Sequence, residues 1–424
     1  MGNYAERIWE GSPTAQTRAE RQPCRYKAYL PDPLLDRELL LGASTAADLA
    51  DVEREVSHLQ TAHPVAVNLE GLARLLLRAE AVASSFIEGL QVNVRRLAKE
   101  EVSARSGLGS HDETARAVLA NVAAMESALD LAGTDAPITV DDVRSLHAQL
   151  MDGTRDAGWG GRLRTEQNWV GGTGMSPCTA EYVPPPPELV QELLEDLCAY
   201  ASGDDHPALM QAALVHAQFE TIHPFVDGNG RTGRALIHVV LRRRGLAPAF
   251  VPPVSLVLAT HADRYVAGLT AFRYDAAADS SVAHRAVTAW LDLFLADMAR
   301  ACADASRFAA TLEELEQHWR TKVGRVRQGS STDLLLSALA GAPVLTVQTA
   351  AALVDRSVTK VNDAVHKLVA AGVLRQTTLG RRNRAFEVPD LMDAVTSFER
   401  ALASPVGETH RAPPARPVPA RRVH

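Results

Sequence analysis

The chain has 424 residues and a formal net charge of −7, with 46% hydrophobic, 22% charged and 5% aromatic residues. This composition and length are typical of a globular protein of two or three domains. The net negative charge excludes a protein that binds nucleic acid non-specifically through overall positive charge. Few aromatic residues, with abundant Ala and Leu, favour helix over sheet. We therefore predict a mainly α fold.

Cysteine usage and hydropathy indicate the compartment. The four cysteines are widely spaced and lack a C-x-x-C pair, which predicts neither a disulfide framework nor a zinc site and suits a reducing cytoplasm. The polar N-terminus lacks the apolar stretch of a signal peptide, and no apolar run reaches membrane-spanning length, so we expect no membrane contact. The cysteines are Cys24, Cys178, Cys198 and Cys302.

The pattern along the chain divides it into five segments, and the first 32 residues read as an irregular arm. The predicted segments are 1–110, an N-terminal arm and helical region; 111–250, a helical core; 251–329, a helical extension of that core; 330–400, a second domain; and 401–424, a disordered basic tail rich in Pro and Arg.

The pattern of apolar and polar residues over 74–91 predicts an amphipathic helix that ends near Gly89. Ser84 and Glu88 are four residues apart and lie on one helical face. A glutamate close to a helix C-terminus is unfavourable next to the negative end of the helix dipole, so Glu88 is expected to seek an external cation. The alternative is an ordinary solvated glutamate.

Residues 160–172 depart from helical periodicity and are bracketed by glycines, which predicts a β-hairpin flap. An exposed strand edge can pair with an extended target segment through main-chain hydrogen bonds. Asn168, Trp169 and Val170 are the candidate target-binding residues of this flap. The alternative is a structural hairpin in which Trp169 belongs to the core.

The string H-P-F-V-D-G-N-G-R-T-G-R, residues 223–234, lies between two predicted helices at 207–221 and 235–244. Its Asp and Gly residues predict a tight loop that leads into a helix N-terminus, where free N–H groups and the helix dipole favour phosphate. His223 can accept a proton near neutral pH, and Asp227 suits a Mg²⁺ ion that keeps phosphate and water ligands.

The remaining motif residues suit a polyphosphate. Gly228, Asn229 and Gly230 can form an anion cradle, and Arg231 and Arg234 share a helical face and can bind phosphate oxygens through their guanidinium forks. The alternative is a Gly-rich turn with a surface histidine. A Walker A loop and an H-E-x-x-H zinc helix are both excluded by the residue order.

After long helices over residues 254–328, the pattern of residues 330–400 is helix, helix, turn, helix and hairpin, which predicts a winged helix-turn-helix domain. Between Arg356 and Arg384 there are seven basic residues and one acid, Asp363. Such a surface suits phosphate, but the same fold also serves protein docking or dimerisation, so both interpretations stay open.

The 223–234 string resembles the Fic family motif H-x-F-x-[DE]-G-N-G-R-x-x-R at each fixed position. The resemblance implies a helical Fic-fold core with a small hairpin flap, and transfer of AMP from Mg²⁺-ATP to a Tyr, Thr or Ser hydroxyl of a protein, with pyrophosphate released. It implies that His223 is the base, that Asp227 binds Mg²⁺, and that Arg234 contacts the γ-phosphate.

The segment from Ser84 through Glu88 to Gly89 is similar to the family's inhibitory motif [ST]-x-x-x-E-[GN]. This resemblance implies that Glu88 pairs with Arg234, within one chain or across a homodimer, and prevents productive ATP binding. Two other functions stay open. One is a DNA-binding regulator whose Fic-like domain senses nucleotide; the other is transfer of a different moiety or removal of AMP.

Overall fold

The computed structural model describes residues 2–12, 17–18, 20–61, 69–107, 112–172, 176–379 and 383–402, and it is mainly helical, as predicted. The helices are α1 (Ala43–Thr61), α2 (Leu69–Ile87), α3 (Val94–Arg105), α4 (Glu113–Ala132), α5 (Val140–Met151), α6 (Val190–Ser202), α7 (Ala208–Ile222), α8 (Asn229–Arg243), α9 (Val254–Thr260), α10 (Ala262–Phe272), α11 (Ser281–Val323), α12 (Ser331–Ala338), α13 (Val347–Val354), α14 (Val358–Ala370) and α15 (Pro389–Leu402). The strands are β1 (Asn3–Trp9), β2 (Cys24–Leu30), β3 (Val344–Leu345), β4 (Arg375–Leu379) and β5 (Asn383–Glu387).

The chain forms two compact units, and the first comprises residues 1–53, 124–246 and 263–296. Its centre is α7, in which each residue from Leu209 to Ile222 is buried. The α8 helix packs against α7 and is also buried, including its polar first turn. The indole N–H of Trp290 donates to the carbonyl of Ala213 at 2.9 Å, which satisfies a polar group inside this apolar core.

The prediction of an irregular N-terminal arm is wrong. Strands β1 and β2 pair antiparallel, with Asn3 opposite Leu30 and Trp9 opposite Cys24. Ala28 and Tyr29 are buried, and the Tyr29 hydroxyl donates to the carbonyl of Tyr274 at 2.9 Å. The two segments are rich in aromatic and branched residues that suit a pleated surface, and this signal was masked by the polar residues between them.

The prediction that the cysteines form no disulfide is also wrong. Cys24 at the start of β2 is joined to Cys178, with a Cα–Cα distance of 6.3 Å across a sequence separation of 154 residues. Cys198 and Cys302 are free and buried. Wide spacing in sequence does not exclude a disulfide, because the fold decides which thiols meet, and the cysteines therefore no longer argue for a reducing compartment.

The second unit comprises residues 54–123, 247–262 and 297–424. Residues 403–424, which are most of the predicted basic tail, lie outside the described part of the chain. In this unit, α2 packs against α9. The buried carboxylate of Glu80 accepts the backbone N–H of Ser255 at 2.8 Å and the Ser255 hydroxyl, and so satisfies the first turn of α9.

The C-terminal part of this unit has three helices, α12 to α14, followed by the β4–β5 hairpin. The helices lie within two residues of the bounds that the sequence pattern predicts, which are Asp333–Leu339, Thr346–Val354 and Val358–Ala371. Two elements were not predicted: β3 adds to the hairpin in the order β3-β5-β4, and α15 follows it. The α3 helix packs against β3, and Lys99 donates to Thr377 at 2.9 Å. The hairpin turn at 380–382, with two of the predicted basic residues (Arg381 and Arg382), lies outside the described residues.

Within the described residues, none of the helices is long and apolar enough to cross a membrane.

Candidate functional site

The predicted motif joins the two central helices of the first unit. The α7 helix ends at Ile222, and the residue that caps it, His223, has a left-handed backbone (φ 49°, ψ 60°). Helix α8 begins after Gly228, which is also left-handed (φ 78°). Helix α8 starts at Asn229, six residues earlier than predicted, so Arg231 and Arg234 lie inside its first two turns. A non-glycine residue in the left-handed region costs about 1–2 kcal/mol, so contacts around His223 must hold it there.

Three consecutive carbonyls at the end of α7 accept hydrogen bonds from the segment that was predicted as the flap and from Tyr182, which forms a bridge to it. The hydroxyl of Tyr182 donates to Thr221 at 2.6 Å, and Arg164 donates to Ile222 at 3.3 Å. The carbonyl of His223 accepts from Arg164 Nε at 2.9 Å and from Asn168 Nδ2 at 3.2 Å. These side chains supply the partners that the end of a helix lacks.

The interior of the loop is fixed by Asn229 and Phe225. The Asn229 side chain accepts the backbone N–H of Phe225 and donates to its carbonyl, each at 2.9 Å. The Phe225 ring is fully buried and stacks on His147 with a centroid distance of 3.7 Å. The Asn229 amide therefore closes the loop, and the contribution that Asn229 can make to a bound anion is its backbone N–H.

His147 on α5 supports the loop and was missed by the sequence reasoning. Its Nδ1 accepts the backbone N–H of Gly161 at 2.9 Å, so the proton is on Nε2, which donates to the carbonyl of Asp227 at 2.8 Å. Burial lowers the pKa of His147 to about 4, so the ring is neutral at physiological pH. A histidine on the buried face of an amphipathic helix was the available signal.

The reactive side chains lie at different depths. The side chain of His223 is 21% exposed, with Nδ1 3.9 Å from Glu220 Oε2. The Asp227 side chain is 55% exposed and lies 3.4 Å from Arg231, whereas Arg231 and Arg234 are only 4% and 1% exposed. The loop thus presents a titratable ring and a carboxylate to solvent above two buried guanidinium groups.

Two glycines of the motif leave space that a larger residue would fill. A Cβ at Gly228 would lie 3.1 Å from His147 Nε2 and 3.2 Å from Leu150 Cδ2. A Cβ at Gly233 would lie 2.9 Å from Phe219 and 3.0 Å from Glu220 Oε1. The glycines therefore allow the loop and α8 to approach α5 and α7 closely.

The donor set suits a magnesium ion that comes with phosphate oxygens. Within the described residues there is no group of three or more His, Cys, Asp or Glu side chains that could hold a metal. Asp227 is a single, accessible carboxylate at the N-terminus of α8. Mg²⁺ is commonly held by one or two carboxylates plus phosphate oxygens and water, so this arrangement fits it.

The flap is less regular than predicted. The pairing consists of one isolated bridge between Val170 and Tyr182, and residues 173–175 lie outside the described chain. Val170 is 40% exposed, and Trp169 packs edge-on against Trp9 of β1 at 5.5 Å. Asn168 also donates to Phe225 at 3.1 Å, so its amide faces the motif loop. Gly171 and Gly172, which follow the bridge, both have positive φ, a backbone conformation that glycine adopts without strain.

The predicted inhibitory residues belong to the second unit. Ser84 is fully buried in α2, which ends at Ile87. Glu88 follows this end and is exposed, and Gly89 has φ 83°. The helix thus ends close to Gly89, as the sequence predicts, and the left-handed glycine is a common way for a helix to end.

Sequence comparison assigns two parts of the chain to the same family. The profile of the Fic/DOC family matches residues 137–241, and that of the Fic/DOC family N-terminal region matches residues 46–130. The chain therefore carries a Fic/DOC domain and its N-terminal companion region. Residues 333–390 match a third profile, HVO_A0114.

Two proteins with sequences similar to part of this chain are named as protein adenylyltransferases. Protein adenylyltransferase fic-1 of Caenorhabditis elegans is 33% identical over 131 residues, which is 30% of this chain and 23% of the relative. Protein adenylyltransferase Fic of Drosophila virilis is 39% identical over 119 residues, which is 27% of this chain and 22% of the relative. The match thus spans less than a quarter of the length of these relatives.

Two solved structures match the chain with TM-scores below 0.5. A Fic family protein from Desulfovibrio desulfuricans is 20% identical, with a TM-score of 0.49 over 82% of this chain and 97% of the other. The C. elegans Fic-1 structure (residues 134–508) is 22% identical, with a TM-score of 0.44 over 64% of this chain and 74% of the other.

Proposed function

We propose that the chain is a protein adenylyltransferase that transfers AMP from ATP to a hydroxyl-bearing side chain. It is an enzyme of the nucleotidyltransferase class, in line with its homology to Fic adenylyltransferases. The observation that carries the proposal is the geometry of residues 223–234, where a partly exposed histidine precedes a helix N-terminus with two buried arginines. Together these groups suit a proton acceptor beside a polyphosphate.

The proposed reaction needs one proton acceptor and several phosphate-binding groups. His223 takes the proton of the target hydroxyl as its oxygen attacks the α-phosphorus, and the bond to the β-phosphate oxygen breaks to release pyrophosphate. The N–H groups at the start of α8 and the guanidinium groups of Arg231 and Arg234 stabilise the negative charge on the phosphates. Asp227 would hold Mg²⁺, which supplies further positive charge to the phosphate oxygens.

The main test is transfer of label from α-³²P-ATP to protein, either to the chain itself or to a partner in a lysate. We expect transfer with the native chain or with Glu88→Gly, and a loss of about 100-fold or more with His223→Ala, since general base catalysis contributes about 10²–10⁴-fold. Transfer that is equal in His223→Ala would contradict the proposal. AMP removal is tested in parallel on the labelled product.

Inhibition by Glu88 is a second part of this proposal and rests on the resemblance of residues 84–89 to the family's inhibitory motif. Glu88 competes with the γ-phosphate for Arg234. We expect Glu88→Gly to raise AMP transfer and Glu88→Asp to raise it less, because the shorter side chain retains the carboxylate. Equal transfer by all three forms would refute the inhibition. Repeating the comparison across a dilution series separates inhibition within one chain from inhibition across a homodimer.

A second candidate function, DNA binding, is favoured by a groove of about 870 Å³ in the C-terminal part of the second unit. The N-terminal residues of α13 and α14, together with Arg384 of β5 and Arg105 of α3, line it. Residues 331–387 thus suit a winged helix-turn-helix domain whose groove takes the phosphates of a DNA backbone.

Gel-shift titration of the full chain against a duplex, at several salt concentrations, tests this second function. If the groove binds phosphates, two variants should each weaken binding and reduce the salt dependence by about one unit of log–log slope: Arg384→Ala in the groove lining, and Lys360→Ala, an exposed residue next to the lining residue Thr359 in α14. Asp363→Asn, on the exposed face of the same helix, should not weaken it. A partner protein that binds instead of DNA would favour the docking interpretation.

A further inference from the structure

Arg164 lies at the base of the flap and is almost completely buried (4% exposed). Its side chain donates four hydrogen bonds, and the four acceptors are backbone carbonyls rather than carboxylates. They belong to Ile222, His223, Glu166 and Pro185. Its backbone N–H also donates to Pro224 at 2.9 Å. One residue thus connects the flap base to both residues that flank the α7–loop junction.

Charge and helix geometry explain why an arginine occupies this position. The last carbonyls of a helix have no partner within the helix and carry the negative end of its dipole. A cation beside them is favourable, and the forked guanidinium can reach two successive carbonyls at once, which a lysine cannot. Burial lowers the pKa of Arg164 to about 10, so the group still carries its charge at neutral pH.

The conformation of His223 depends on this junction. Its φ of 49° is one of three positive values among the described non-glycine residues, and its carbonyl is held by Arg164 and Asn168 together. The backbone conformation of a residue sets the direction of its side chain. The contacts that hold the His223 carbonyl therefore also set the direction of the imidazole.

We propose that Arg164 is a positioning residue that caps α7 and fixes the left-handed backbone of His223, and so aims the imidazole at the target hydroxyl. This role rests on the proposed AMP transfer. In this proposal the part of the flap that contains Arg164 orients the proton acceptor, His223. The exposed end of the flap can hold the target as well. Small errors in the placement of a reacting group lower the rate steeply, whereas nucleotide binding by α8 needs only the arginines and the helix N-terminus.

The experiment compares Arg164→Met, which keeps the volume but removes the donors, with Arg164→Lys, which keeps the charge but loses the fork. Arg162→Met is the matched control, because Arg162 is an exposed arginine of the same segment. Transfer rates at saturating ATP, KM for ATP, and amide hydrogen exchange over residues 219–230 are measured for each variant.

We expect kcat to fall about 100-fold in Arg164→Met and less in Arg164→Lys, with KM for ATP within about twofold of the native value, and no change in Arg162→Met. Amides of the loop should exchange faster in Arg164→Met. A native kcat in Arg164→Met overturns the proposal. So does an equal loss of ATP binding, because that would indicate a general loss of structure.

The hydrogen-exchange measurement separates this proposal from the proposed function. If the native chain and Glu88→Gly transfer no AMP, adenylyl transfer is refuted, and exchange of the loop amides still decides whether Arg164 holds the junction. If transfer occurs but the loop amides exchange at the native rate in Arg164→Met, the positioning role alone is refuted.

Discussion

The motif loop and the flap lie next to each other in the first unit and are stabilised in opposite ways. In the loop, Phe225 and Asn229 are buried and joined to each other by two hydrogen bonds, and the Phe225 carbonyl also accepts from Asn168 of the flap. In the flap, Val170, Gly171 and Gly172 are exposed and one bridge pairs the segment with Tyr182. The flap is attached to its surroundings mainly at its ends.

This difference suggests that the two regions have separate roles. A loop with internal hydrogen bonds and a stacked core residue keeps its geometry when a ligand binds nearby, as the proposed AMP transfer would require. An exposed segment with few contacts can adjust to a target. The flap combines both properties, because Arg164 and Asn168 face the loop while the next residues face solvent.

The largest expected effect concerns the attachment of the flap. Cys178 follows the flap and is bonded to Cys24 of β2 across 154 residues. In the chain-entropy account, closing a loop of this length stabilises a fold by about 4–5 kcal/mol. We therefore expect reductant or Cys178→Ser to lower the thermal unfolding temperature of the first unit, measured by calorimetry.

A matched variant controls for the other thiols. Cys198→Ser removes a buried free cysteine, so it should keep the response to reductant, whereas Cys24→Ser should abolish it. Hydrogen exchange should show the change in residues 168–172 and leave residues 223–230 at the native rate. Equal acceleration in both segments would contradict the division between flap and loop.

The next effect concerns the loop and depends on pH. The pKa of His147 is about 4 in the folded chain and about 6.5 when unfolded, so the unfolded state takes up a proton first as the pH falls. The stabilisation is complete above pH 6.5 and declines between pH 6.5 and 4, by about 2–3 kcal/mol at pH 4.5. Denaturant unfolding at pH 7 and pH 4.5 measures it.

His147→Gln provides the comparison for this pH effect, since it lacks the titrating ring and retains an amide donor. Its loss of stability between the two pH values should be smaller than that of the native chain by the same amount. His216, whose pKa burial lowers to about 3, contributes equally to both proteins. An identical loss of stability in the native chain and the variant would show that protonation of His147 does not cause the pH dependence.

The two regions also differ in how well the sequence predicts them. The motif specified its own loop, because His223, Asp227 and the glycines are local in sequence. The start of α8 lies six residues earlier than predicted, because its polar first turn carries no apolar periodicity. The contacts that hold the loop come from distant segments: His147 is 80 residues before Asp227, and Arg164 is 59 residues before His223. Periodicity cannot pair such residues, because that pairing is a property of the tertiary fold.

The N-terminal strands and the disulfide were missed for the same reason. The pairing of β1 with β2 spans residues 3–30, and the partner of Cys24 is on the far side of the flap. The helices α12, α13 and α14 were predicted to within two residues because their apolar periodicity and caps are local, as with Ser330 and Thr346. Local chemistry predicted the elements, and long-range contacts decided how the flap is supported.

A smaller effect distinguishes backbone strain from close packing in the loop. Gly228→Ala forces an alanine to φ 78° with its Cβ 3.1 Å from His147, and we expect it to destabilise the first unit by about 2 kcal/mol and lower transfer at least tenfold. Gly153→Ala also has positive φ (69°) but meets open space, so it should cost about 1 kcal/mol and leave transfer unchanged. Equal effects on transfer would mean that close packing at Gly228 is not required.

The smallest effect concerns the exposed end of the flap. The edge-on contact between Trp169 and Trp9 should contribute about 1 kcal/mol, measured as a double-mutant coupling between Trp169→Ala and Trp9→Ala. If the contact orients the flap for its target, each variant raises KM for the protein target by about fivefold and leaves KM for ATP unchanged, because the loop does not depend on it. Trp159→Ala, a 49% exposed tryptophan before the flap, should change neither constant. A fall in the ATP-dependent rate at saturating target would instead mean that flap and loop act as one rigid element.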